Sequence, residues 1–463
     1  MSLLFALIAT VTVAASPTPT PEDEAAAVAW FKVSGHALSG ADASAEDLAP
    51  IAERLSAGRV IGLGEATHGG HEDQLFKANL IKQLVRAQGV TVVVLEANRD
   101  AARDFDTYIR TGVGDPMTLM RSTSFFRAGR DEEFAGLLVW LRAWNQVATR
   151  PVRIIGIDNQ DAARDAAFAL DFVRKHDARL ADRLAAPFAS LLPSPGQPWP
   201  HAFTWIQAHT TADIAAVQTG AQTLKEAIAV RHAEWSGDPA YAEALYAADI
   251  AWQCLHQFER EGKDSATEFV TDGYFARRDV FMAQNLMARL DPADKAVIWA
   301  HAGHVMNWLP DSYVKSGYST LGRELKGRLG DAYTVLGATF TTGRIMTVAE
   351  RNGERPSSAA PESVVSVPND GPRDIGRLLA ALPGDAAWID LTLRPKTPAL
   401  NRWVLSDYNY GWAGWAVKPE DWQKDAAPPA DKAMPFDKGF DVMIWFRHIT
   451  PARRLPEAKS LAQ

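Results

Sequence analysis

Short β-branched segments, each followed by a polar loop and then a helical stretch, constrain this chain more than any other feature. Arg59-Val-Ile-Gly-Leu63, closed by Gly64, follows an amphipathic helix expected from Glu46 to Leu55. A helix from about Glu72 to Gln88 leads to a second strand, Val90 to Glu96. A helical stretch from about Arg130 to Thr149 leads to a third, Val152 to Ile157. Short apolar strands alternating with helices are the pattern of βαβ units, which predicts a parallel sheet. From about Asp161 to Leu290 the periodicity is Ala-, Leu- and charge-rich and helical, broken by the loop Pro193 to Pro200. Strands resume at Ala296 to Ala300, Tyr333 to Thr339, Ala386 to Leu393 and Asp441 to Phe446, and Arg351 to Pro372 reads as a long surface loop.

The expected fold class is therefore α/β, with a mostly parallel central sheet flanked by helices and a large helical insertion. The expected domain layout has a signal peptide at 1–15 and an N-terminal linker or helix at 16–45. An α/β catalytic domain follows, formed by 46–160 and 291–455, with the helical insertion at 161–290. Ser2 to Ala15 is an uncharged apolar run too short to span a bilayer, ending in the small residues Val13-Ala14-Ala15. The expectation is a periplasmic or secreted protein without a membrane span. Net charge is −8, with no long basic run, which argues against a nucleic-acid partner. The single cysteine, Cys254, excludes a disulfide framework and a Cys-rich zinc site.

Parallel sheets place their sites outside the carboxyl ends of their strands. The first strand leads into Gly64-Glu65-Ala66-Thr67-His68-Gly69-Gly70-His71-Glu72, and the second ends in Glu96. The third leads into Gly156-Ile157-Asp158-Asn159-Gln160, and the fourth into His301-Ala302-Gly303-His304. Four of the 11 histidines fall in two of these loops. Each piece also has a plain structural use, as a helix cap, a dipole partner or half of an ion pair. Their convergence on consecutive strand ends is what points to a site.

Three chemistries are compatible with such a set. The dinucleotide fingerprint fails, because Thr67 stands where a third glycine belongs and Glu65 where a pyrophosphate would sit. A divalent metal held by His68, His71, His301 and glutamates is a rival, although the spacing does not match a helical HExxH. The third is metal-free hydrolysis, in which a neutral histidine takes a proton from water while a carboxylate orients its ring. No GxSxG elbow is present.

The sequence resembles the erythromycin esterase family, which includes proteins annotated with succinoglycan biosynthesis. The matching pieces are Gly62-Leu-Gly-Glu-Ala-Thr-His68-Gly, Glu96, Gly156-Ile-Asp-Asn-Gln160 and Arg278-Asp279 with Met282-Ala283 and Asn285. Trp299-Ala-His301-Ala-Gly-His304-Val, Leu321-Gly322, Arg328-Leu-Gly-Asp331, Phe440-Asp-Val-Met-Ile and Thr450-Pro-Ala452 complete the likeness, which runs from about Glu46 to Ala452. The resemblance implies hydrolysis of a macrolide lactone or related ester by histidine-activated water, without a required cofactor. It implies His68 as base, Glu65 as its partner, and Glu96, His301 and His304 as the rest of the catalytic set. Lys77 stands where some members have Arg, and Ala302 where Asn often follows the first histidine. The candidate substrate contacts are Lys77, His71, Glu72, Asp158, Gln160, Trp412 and Trp415, the two tryptophans being part of an aromatic stretch between Trp403 and Trp422. The alternatives are the metal-dependent hydrolase on the same scaffold and an envelope protein that binds or modifies polysaccharide.

Overall fold

The computed structural model describes residues 18–456 except 123, 258–273, 316, 351–359, 419–421 and 423–432. The expected signal peptide, 1–15, and much of the expected loop 351–372 lie outside the described residues. The strands in chain order are β1 His36–Leu38, β2 Val60–Glu65, β3 Val92–Asn98, β4 Arg153–Asp158, β5 Ala296–His301 and β6 Tyr333–Ala349. They continue with β7 Ser363–Ser366, β8 Ala386–Asp390, β9 Asp407–Asn409, β10 Ala416–Val417, β11 Ala433–Pro435 and β12 Val442–Ile449.

One ten-stranded sheet runs in the order β1-β8-β12-β6-β2-β5-β3-β4, with β7 and β10 pairing on β6. The six strands from β12 to β4 are parallel to their neighbours, and β8 and β1 add an antiparallel edge. The sheet is thus the mostly parallel one that the strand–helix alternation implies. Its inner strands are continuous apolar runs because helices cover both faces. Every residue of β2 is buried, and so is every residue of β8.

Three element expectations need correction. β6 is 17 residues long rather than ending at Thr339, because its far half leaves the main sheet to pair with β7 and β10. The strand at 386 stops at Asp390, whose side chain accepts from the Thr392 amide and turns the chain into a short 3₁₀ helix. The helix of the 130s begins at Glu132, where Asp131 caps the Phe134 amide, and ends at Asn145. The helix Arg99–Thr111 is not among the expected elements; its charged residues hide an apolar stripe of Ala101, Ala102, Phe105 and Ile109.

Two apolar clusters form the interior. The larger surrounds the sheet and includes Ala27, Trp30 and Phe31 of the helix Pro21–Ser34, so part of the stretch 16–45 is helical and packed. The smaller is built from helices between Ala162 and Leu255, with Phe172, Trp205, Leu224 and Ala248 among its members. A buried ion pair from Arg99 to Asp165, a second contact from Arg99 to Glu243 at 2.6 Å and a hydrogen bond from Tyr246 Oη to the Gly156 carbonyl at 2.9 Å join the two. No described helix is long and apolar enough to cross a membrane.

Candidate active site

Chain order and sheet order differ where β5 inserts between β2 and β3, a switch of the kind that opens a crevice at strand carboxyl ends. Glu65, the last residue of β2, lies in register with His301, the last residue of β5. The pairing of β3 with β5 stops at Leu95 and Trp299. Just beyond it, where the β3–β4 register shifts, Glu96 Oε2 accepts the His301 amide at 2.9 Å. A side-chain carboxylate thus takes over from the backbone ladder, and Glu96 is turned toward the neighbouring strand.

The loop after β2 is tightly held. A β-carbon on Gly64 would meet the Ala302 Cα at 2.7 Å, so the turn 302–305 packs directly on this strand. Ala302 itself is buried in the larger core, so its methyl serves packing. A β-carbon on Gly69 would strike the Met346 carbonyl oxygen at 2.2 Å, and here the loop pairs with the far half of β6.

His68 projects from this loop with about a quarter of its side chain exposed. Its Nδ1 lies 2.7 Å from Glu65 Oε1, and the other Glu65 oxygen contacts Lys77 Nζ. A carboxylate acceptor fixes the proton on Nδ1 and leaves the Nε2 lone pair open. Burial pushes the His68 pKa down, Glu96 opposes that, and His304, Arg454 and Arg278 add to it, so the ring favours its neutral form. Lys77 is buried, with Nζ 4.0 Å from the centroid of the Trp299 ring. Burial drives its pKa well down, against the pull of Glu96 and Asp131.

His301 takes the opposite tautomer. Its Nδ1 accepts the Gly303 amide at 3.1 Å, so the proton sits on Nε2, which is buried; the Ala66 carbonyl favours that N–H, although no well-aligned hydrogen bond to it forms among the described residues. Burial and the nearby His68 hold its pKa well below the ordinary imidazole range, against Glu96 and the Ala66 carbonyl. The His68 and His301 rings stand 5.2 Å apart, centroid to centroid. One offers a lone pair and the other an N–H.

His304 is different again. Its Nδ1 lies 2.8 Å from Asp279 Oδ1 and its Nε2 3.1 Å from Glu96 Oε1. Burial and Arg278 work against the charge, but the two carboxylates outweigh them and raise the pKa to about 10, which favours the imidazolium. Arg278 completes this buried set, reaching Glu96 at 3.0 Å and Asp158 at 2.6 Å, with Nη1 2.9 Å from His304 Nε2. Burial would raise the Glu96 pKa, but His304 and Arg278 hold it well below the usual carboxylate range.

Other candidates are drawn into structural roles. Asp158 is fully buried on Arg278 and also accepts from Gln160 Nε2 at 2.9 Å. Glu72 accepts the Thr450 amide at 2.6 Å and its hydroxyl at 2.8 Å, tying a helix start to the end of the sheet. His71 Nδ1 contacts Glu133 Oε1, and that hydrogen bond raises its pKa against the opposing effect of burial. Trp412 is buried, donates from Nε1 to the Ala338 carbonyl at 3.2 Å, and meets His301 edge-on at 6.4 Å. Trp415 is half-buried, and its carbonyl accepts from Val348 and Thr347 on β6. Among the described residues no group of three or more His, Cys, Asp or Glu converges to hold a metal ion.

Sequence reasoning gave no role to Arg278, Asp279, Glu133 or Arg454. An adjacent Arg-Asp pair on a helix that buries Met282, Ala283 and Leu286 is a detectable signal for the first two. Nothing local distinguishes Glu133 or Arg454.

Residues 85–449 match the family model described as erythromycin esterase. That span contains Glu96, Asp158, Arg278, Asp279, His301 and His304, while the His68 loop precedes it. An Escherichia coli protein named erythromycin esterase type II is 24% identical over 324 residues, 65% of this chain and 74% of that one. A solved Bacillus cereus protein superposes with a TM-score of 0.75 at 20% identity, covering 94% of this chain and 99% of that one. A mutant of the erythromycin esterase EreC, in its open conformation, superposes at 0.65 with 16% identity, covering 92% and 98%. At these identities the superpositions speak for the fold.

Proposed function

The chain belongs to the erythromycin esterase family, and from that premise we propose that it is a hydrolase opening a macrolide lactone or related ester with water activated by His68. The observation that carries this reading is the opposed pair of tautomers, a neutral His68 anchored through Nδ1 on Glu65 and a neutral His301 presenting Nε2–H beside it.

In the proposed reaction a water lies between His68 Nε2 and the substrate carbonyl carbon. His68 takes one proton from the water as its oxygen bonds to carbon, and the carbonyl π electrons move to oxygen. Glu65 holds the imidazolium that forms without itself taking a proton. His301 Nε2–H is the donor offered to the oxyanion, since the N–H groups of His304 and Arg278 are already engaged by Asp279, Glu96 and Asp158. Collapse of the tetrahedral species breaks the bond to the alkoxide, which takes the proton back from His68. One water enters, and a lactone leaves as a single hydroxy acid, an open-chain ester as an acid and an alcohol. The reading gives the metal no step, and supports a small-molecule ester or lactone as the substrate class.

The experiment is turnover of a macrolide and simple-ester panel by the purified chain, read by mass spectrometry with and without chelator, beside His68→Ala. A gain of one water that survives chelation and falls at least about a hundredfold in the variant is expected. Full turnover by a folded His68→Ala chain, or its loss on chelation with recovery on adding metal, overturns the reading.

A further inference from the structure

After β12 ends at Ile449 the chain does not leave the molecule. Thr450 to Leu455 runs between the His68 loop and the start of the helix Glu132–Asn145. On one side His71 N donates to Thr450 O at 2.7 Å and Ala452 N to Gly69 O at 2.8 Å, with Pro451 bridging Gly70. On the other, Glu132 N donates to Arg453 O at 2.9 Å and Leu455 N to Arg130 O at 2.9 Å, with Arg454 bridging Asp131. Six residues therefore tie two loops from distant parts of the sequence.

Arg454 points inward from this strap, with 13% of its side chain exposed. Nη2 donates to the carbonyl of His68 at 3.2 Å and to that of Met346 at 3.2 Å. Nε and Nη2 lie against Glu362 at 3.2 and 3.1 Å. Nη1 donates to the Ala128 carbonyl and lies 3.6 Å from Asp131. Only a planar fork with five donors reaches three carbonyls and two carboxylates from one position.

We propose that Arg454 is a positioning residue for His68, clamping the carbonyl of the residue that carries the base and fixing a cation 3.2 Å from that carbonyl. This rests on the reading of His68 as the base. The clamp fixes the imidazole against Glu65, because the His68 carbonyl cannot move without breaking the contacts of Arg454 with Met346 and Glu362. The cation disfavours a second positive charge on the ring. The charged and titratable groups around His68 include Glu65 from β2, Lys77 behind it, Glu96 from β3, Arg278, and His301 and His304 from the loop after β5, with Glu362 and Asp131 paired to Arg454 itself. Glu65 and Glu96 favour the imidazolium, whereas Arg278, His304 and Arg454 oppose it.

The test is a proton NMR titration of the histidine Cε1–H signals in the full chain, with His68 assigned from the His68→Ala spectrum. Ester hydrolysis is measured on the same samples. In Arg454→Ala the His68 midpoint is expected to rise by at least about half a pH unit, as loss of a nearby cation requires. Its kcat is expected to fall by at least about tenfold with KM within about twofold, as misplacement of a catalytic group requires. Arg454→Lys keeps a charge but not the fork, so its midpoint stays near that of the unaltered protein while kcat still falls; it also serves if the alanine variant does not fold. An unmoved midpoint in folded Arg454→Ala, or an unchanged kcat in both variants, overturns the proposal. A shifted midpoint in a protein whose unaltered form hydrolyses nothing upholds the placement of Arg454 and overturns the hydrolase reading instead.

Discussion

Glu65 and His301 leave the sheet side by side, in register at the ends of two neighbouring parallel strands. The two strands are more than two hundred residues apart in the chain, and only the insertion of β5 beside β2 joins a carboxylate from one to an imidazole from the other. Glu65 then orients His68 through a three-residue loop, while His301 is oriented by the amide of Gly303. The sheet sets the distance between the histidines and the local loops set their tautomers.

His301→Ala is expected to lower kcat by about a hundredfold or more while moving KM little, since an oxyanion donor acts in the transition state. Steady-state kinetics on the best ester of the panel checks this. A variant whose whole loss lies in KM would assign His301 to ground-state binding.

The buried contact between Glu65 and Lys77 makes a second expectation. Burial pushes the Lys77 pKa down but its contact with Glu65 favours the ammonium, so Lys77→Met leaves that carboxylate unpaired in a dry site and is expected to cost about 3–5 kcal/mol in urea unfolding. Replacing both, with Glu65→Leu, removes the stranded charge, so the double variant is expected to lose less than the sum of the single changes. Additive losses would show that the two side chains do not act as a pair.

The rate should depend on pH through His68. The proposed base works when neutral, and its pKa lies below the ordinary value of about 6.5 because of burial and the cations around it. The acid limb of kcat/KM is therefore expected below about pH 6.5, with a plateau above it. A limb above that value would mean that Glu65 and Glu96 outweigh burial.

Stability should depend on pH through His304. Its folded pKa of about 10 lies above the unfolded value near 6.5, so its ion pairs contribute fully below about pH 6.5. That contribution is lost progressively as pH rises through 10. The melting temperature is expected to fall between pH 7 and 10, and to fall less steeply in Asp279→Asn, which lacks the nearer carboxylate. Parallel curves for the two proteins would remove His304 from the account.

Much of this was legible in the residues. The strand ends were readable to within two residues, at Leu63, Glu96, Ile157 and Ala300 against Glu65, Asn98, Asp158 and His301, because β-branched runs stop at polar loops, and each loop proved to supply a side chain near His68 or Arg278. The inner strand order was not readable, since nothing in Ala296 to His301 states that it pairs with β2 on one side and β3 on the other. The charge state of His304 was hidden for the same reason: its partners, Asp279 and Glu96, come from a helix and a strand far from it in sequence. Glu72 shows the converse limit. As an acid at a helix start it could be read as a dipole partner or a ligand, and its bonds to Thr450 depend on where β12 ends.

The clamp on His68 has a consequence for how the protein is made. The loop that carries the imidazole and the guanidinium that grips its carbonyl are separated by 386 positions, so the gripping residue leaves the ribosome long after the loop does. Domains fold as they emerge, N-terminal parts first, so the inner sheet can assemble while His68 is still unheld. The nascent chain is therefore expected to stay idle until the strap from Thr450 to Leu455 has emerged and docked. A protease cut just beyond Ile449 would leave the inner sheet standing but release Arg454, together with the buried Ala452 and Leu455, so a nick far from the base in sequence would disarm the molecule.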